Sequence, residues 1–229
     1  MSITTSTLTR GAAVAAALAG IAYIVIQFIH PADDIASLST PRWAVVHILS
    51  FAEAVLAVVG VTGIYLRQVR QFGILGLIGY LMFGFFFILQ TAFNFAEAFI
   101  APLFVSDAPQ TSADLVGLFG RSAPVTDLGP LIGLPPVGAL LYVVGALLFG
   151  AAIIRARMLS RGAGILLIAA AVLTPIAGAL LPHTLERMAA IPMGLALAWL
   201  GCSLWSDLRR NATALQTRTD KAGIDRATR

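Results

Sequence analysis

The sequence predicts an all-α membrane protein, a polytopic bundle of six transmembrane helices with both termini cytoplasmic, and three observations predict it. Of 229 residues, 59% are hydrophobic and only 11% charged, with mean hydropathy +0.90, whereas soluble domains carry about 25% charged residues. The apolar residues fall in long blocks instead of alternating with polar ones, as in a chain whose solvent is lipid. The basic residues flank those blocks, which makes them topology determinants. They form no patch with interleaved aromatics, so the charge of +4 points to no nucleic-acid partner.

The first span covers residues 11–30, preceded by Arg10 and closed by His30-Pro31. Its Ala-rich middle is similar to a signal peptide, but its length suits a full crossing. The second, residues 43–66, opens on Trp43, read as an interfacial anchor, and closes with Tyr65 and Arg67. The third, residues 72–104, exceeds the roughly 20 residues a crossing needs, so it must tilt or kink, with Pro102 near its end. The fourth is 131–154, where Pro135-Pro136 fit a first turn; the fifth is 162–182, kinked at Pro175; the sixth is 188–206.

Placing the N-terminus in the cytoplasm puts Arg10, Arg67, Arg70, Arg155, Arg157, Arg161 and the basic residues after Trp205 inside, leaving Arg42, Arg121 and Arg187 outside. The segment 105–130 is then an outer loop, and Ser112 is positioned to cap a short interfacial helix. Residues 211–229 are polar and basic and are expected to be a disordered cytoplasmic tail. Gly73, Gly76, Gly79, Gly138, Gly145, Gly194 and Gly201 place small residues on helix faces, for packing within one chain; a homo-oligomer is not required. The single cysteine, Cys202, reads as a small buried hydrophobe.

Two carboxylates lie inside predicted spans, Glu53 and Glu97. A charge near the bilayer centre costs on the order of 3 kcal/mol, so such groups face the bundle interior and find partners. Gln90, Asn94 and Glu97 share one helical stripe, and His47, Ser50 and Glu53 occupy a sector of the preceding helix. Counting about 1.5 Å per residue from the outer surface brings the two sets to matching depth. His30, His47 and His183 all fall near that surface. Together these residues predict an outward-opening polar pocket.

Three uses of the pocket stay open, beside plain hydrogen bonding between helices. A metal site would draw on His30, His47, His183 and Glu97, although no compact ligand motif is present. A membrane-embedded isomerase or cyclase acting on an isoprenoid or lipid would use Glu97 or Glu53 as general acid. A binding or transport protein would hold a small, largely apolar molecule with His47, Ser50, Glu53, Gln90, Asn94 and Glu97, among surrounding membrane lipids. No motif names a cofactor. Retinal chemistry is excluded because the only lysine is Lys221, and Asp33-Asp34 is an isolated pair without a prenyl-diphosphate motif.

The stretch Arg157-Met-Leu-Ser-Arg-Gly-Ala-Gly-Ile-Leu-Leu167 and the run Pro192-Met-Gly-Leu-Ala-Leu-Ala-Trp-Leu-Gly201 resemble bacterial membrane proteins classed as domains of unknown function. That resemblance implies a six-helix inner-membrane fold and no catalytic residues. A weaker likeness, in size and intramembrane acids, is to small integral-membrane terpene cyclases. The chain is expected in the bacterial plasma membrane as a multi-pass protein that binds or passes a small apolar molecule.

Overall fold

A computed structural model describes residues 4–118 and 124–227, with side chains at 183, 184 and 214–227 left aside. The described residues contain helices and turns and no strand. Thr5–Ile29 forms α1, which starts before the predicted span because Thr4 Oγ1 accepts the Thr7 amide at 3.2 Å. Ile35–Leu38 forms α2, and Pro41–Phe95 forms α3, capped by Thr40 with Pro41 in its first turn. A π-helical turn, Ala96–Ile100, and a tight 3-10 turn, Ala101–Phe104, continue it. Pro109–Val116 is α4, Leu134–Ala156 is α5, Arg161–Leu180 is α6, His183–Glu186 is α7 and Ile191–Ala227 is α8.

Five segments are long and apolar enough to cross a membrane. The longest, Pro41–Phe104, has 64 residues and would measure about 96 Å as a straight helix, some three times a bilayer's hydrocarbon core. It is not straight. Gly73 has φ +59° and ψ −160°, a conformation that glycine alone adopts readily. Past this single residue the chain doubles back on itself. Tyr65 stacks on Tyr80 with ring centroids 4.4 Å apart, Phe51 meets Phe95, and Trp43 reaches Glu97. The two ring pairs lie at nearly equal distances along the chain on either side of Gly73, as in an antiparallel hairpin. The loop expected between residues 66 and 72 is therefore helix, and the turn is one glycine.

The hairpin arms and the four other long helices form a closed ring: α1 packs on the first arm, the second arm on α5, α5 on α6, α6 on α8, and α8 returns to α1. Small residues make the seams. A Cβ added at Gly201 would fall 2.5 Å from Ala17 N, and one at Gly145 would fall 2.5 Å from Phe83 N, so these backbones approach as only glycine permits. The ring encloses Phe83, Phe87, Phe149, Leu167, Met193, Leu197 and Leu200. Large apolar side chains such as Ile74, Leu140, Ile165 and Leu180 are exposed on the outside, as a helix surface in lipid requires.

Helix α8 runs on through Ala227, into the stretch read from sequence as a tail, because extension from an existing helix needs no new nucleus. Two further expectations are corrected. Ser112 lies within α4 instead of capping it, and its buried hydroxyl donates to the Ala101 carbonyl at 3.2 Å, seating α4 on the preceding turn. Cys202 is exposed, because it lies on the outer face of α8 while Gly201 takes the seam. Arg121 falls outside the described residues.

Candidate functional site

The candidate site residues gather at the end of the bundle away from Gly73. Their arrangement begins with a proline. In the π-helical turn the Ala101 amide bonds the Ala96 carbonyl, five residues back instead of four. The Glu97 carbonyl then looks to residue 102, which is proline and has no N–H. Trp43 supplies the missing donor: its indole Nε1 donates to the Glu97 carbonyl at 2.9 Å. The indole is fully buried, so Trp43 is a brace between the hairpin arms and no interfacial anchor. An unfilled buried carbonyl costs roughly 1–3 kcal/mol, which is the physical reason for that burial.

Trp43 also fixes His47. The imidazole stacks on the indole with centroids 3.8 Å apart, and Nδ1 lies 2.9 Å from the Trp43 carbonyl. A carbonyl only accepts, so Nδ1 carries the hydrogen and Nε2 of the neutral ring is left as an acceptor. Nε2 faces Glu97 Oε2 across 3.6 Å, too far for a hydrogen bond, and has no other partner. His30 packs edge-on against His47 at 5.0 Å, and its own Nδ1 is held by the Pro31 carbonyl at 2.8 Å. Burial, then the guanidinium of Arg187, push the His30 imidazole down to about 4, against the pull of the Pro31 carbonyl and Asp33. Arg187 is itself bonded to Asp33, a link between segments 154 positions apart.

Beneath these groups lie two adjoining cavities, an outer and an inner lobe, that share His30, Gln90, Asn94 and Arg187 in their walls. The outer lobe, about 280 Å³, is faced by Phe86, Leu89, Phe93 and Val116 together with Glu97. The inner lobe, about 190 Å³, is bounded by Tyr23, Ser50, Glu53 and Asn94. Ser50 satisfies its hydroxyl on the Val46 carbonyl at 3.0 Å. Glu53 and Asn94 do not: each is at least nine-tenths buried, and Glu53 Oε1 and Asn94 Nδ2 have no partner.

All six residues named from sequence for ligand contact thus meet at one site: Gln90, Asn94 and Glu97 on the second arm, His47, Ser50 and Glu53 on the first. Of the metal candidates, His30, His47 and Glu97 converge, while the side chain of His183 lies outside the described set. Among the described residues no three His, Cys, Asp or Glu side chains form a metal-holding group. Sequence reasoning missed Trp43, Asp33, Arg187 and Tyr23. The signals for the first two were present, a tryptophan one turn before a histidine and an aspartate one turn after another, but nothing in the sequence joins Asp33 to Arg187.

Comparison with known protein families, curated proteins and solved structures gave no match. The class of protein therefore rests on the fold itself: an all-helical chain whose long apolar helices suit a membrane, with a polar cavity at one end.

Proposed function

We propose that this is a six-crossing plasma-membrane protein, both termini cytoplasmic, whose outward-opening cavity binds or passes a small, largely apolar molecule. The fold-back at Gly73 supports the sixth crossing, since it makes two antiparallel arms of one 64-residue segment. The distribution of arginines supports the orientation. Cysteines replacing Val125 and Gln71 in a Cys202→Ala background test it: maleimide should label the first from outside and the second only from inside, and the reverse pattern refutes it.

One observation carries the binding function: a two-lobed cavity with an aromatic and aliphatic outer wall over a polar inner end, the combination of ligand pockets. The outer lobe matches one ring or a short chain, not a whole lipid. Fluorine NMR with para-fluorotoluene and protein in nanodiscs tests it. Saturable binding to the native protein, abolished by Leu89→Trp, which fills the outer lobe, is the expected result. Equal binding by the filled variant would place the probe elsewhere and end the proposal.

A second use is favoured by the His47–Glu97 geometry. The His47 acceptor nitrogen and the Glu97 carboxyl stand 3.6 Å apart, so a small side-chain shift or one bridging water would connect them for proton movement, and Glu97 as general acid would serve an isomerase or cyclase acting on an isoprenoid or lipid held in the same cavity.

A further inference from the structure

The inner lobe contains two unsatisfied groups of opposite character. Glu53 Oε1, as the carbonyl oxygen of its carboxyl, accepts and Asn94 Nδ2 donates, and both are buried without partners in the wall of the same 190 Å³ space. Leaving either group unpaired in a low dielectric is costly. Of the other polar side chains in this wall, Ser50 is bonded to Val46, the Gln27 amide to the Tyr23 carbonyl at 2.9 Å and Arg187 to Asp33, while Gln90 and Tyr23 also line the lobe. The occupant must therefore bring both a donor and an acceptor.

That requirement eliminates most charged heads. An ammonium has donors and no acceptor, so the Asn94 N–H would stay orphaned; a carboxylate has no donor for Glu53 Oε1. An ether accepts only, and a hydrocarbon does neither. We infer that the inner lobe is a head-group subsite for a neutral hydroxyl or carboxamide, whose apolar body lies in the outer lobe against Phe86, Leu89 and Phe93. The inference rests on the cavity-binding function proposed above and adds the ligand's polar end to it. Glu53 and Asn94 become the specificity residues, because a site built for hydrogen bonding discriminates against analogues that lack the bonding group far more sharply than an apolar pocket discriminates by size.

The test is a set of probes with one body and different heads, measured by fluorine NMR on the full chain in nanodiscs. Para-fluorobenzyl alcohol and para-fluorobenzamide should each bind at least about tenfold more tightly than para-fluoroanisole and para-fluorotoluene. Asn94→Leu and Glu53→Leu should bring the alcohol down to the level of the toluene while leaving the toluene within about twofold. Glu53→Gln, whose side-chain carbonyl still accepts, should retain the preference. Toluene binding with no added gain for the alcohol overturns the head-group subsite and leaves the cavity function standing, since water then fills the inner lobe equally well. Tightest binding by para-fluorobenzylammonium also overturns it, in favour of a cation site. Binding by none of the probes overturns both. The comparison within the native protein decides the matter even if a Leu variant fails to fold.

Discussion

Trp43→Phe isolates the bond that holds Glu97 in place. Phenylalanine keeps a ring to stack on His47, now 3.8 Å from the indole, and removes the N–H that reaches the Glu97 carbonyl at 2.9 Å. Interhelical hydrogen bonds in membrane proteins are worth roughly 0.6–2 kcal/mol. The upper part of that range applies here, because Pro102 has no amide with which to replace the lost donor. Adding a small void where the fused ring was, the loss should be about 2 kcal/mol, close to a thirtyfold change in the unfolding equilibrium. Trp43→Ala, which empties a fully buried site, should cost about 3–5 kcal/mol. Equilibrium unfolding in mixed micelles, following helix content against denaturing detergent, measures both. A Trp43→Phe variant within about 0.5 kcal/mol of the native protein would refute the account of the brace.

Two other outcomes are expected. The folded His30 imidazole titrates at about 4 against about 6.5 when unfolded, so the folded protein binds fewer protons between those values. Stability should rise with pH across that window, be fully present above about 6.5 and be lost as pH falls toward 4, by on the order of 3 kcal/mol. His30→Gln should flatten that part of a stability–pH curve, and an unchanged curve would contradict the assignment. Gly201→Leu, with Ala17 N and Ala13 O within 2.6 Å of the added Cβ, should lower stability by at least about 1–3 kcal/mol in the same micelle assay. Gly11→Leu, with nothing within 4 Å, should not; equal effects would argue against the α1–α8 seam.

Much of this architecture was legible in advance, and the reasons are local. Hydropathy depends on composition alone, so each apolar block could be assigned to helix without knowing its neighbours. The stripe of Gln90, Asn94 and Glu97 follows from helical periodicity, and its meeting with His47, Ser50 and Glu53 from antiparallel succession and the rise per residue. The cost of buried charge assigned the two glutamates to the interior. Gly73 is legible in the sequence as a small residue, but a single-residue reversal is a matter of dihedral angles that the pattern of residue types does not encode.

The sequence by itself determined which stretches are apolar and helical, where small residues allow backbones to touch, and which polar groups share a face. These properties are carried by single segments. Only the tertiary structure decided that Trp43 is a buried brace, that Asp33 and Arg187 pair across 154 positions, and that Glu53 and Asn94 are left without partners around one cavity. The physical reason is that an unsatisfied hydrogen-bonding group is defined by what surrounds it. The surroundings of Glu53 come from segments that the chain brings together only on closing the ring.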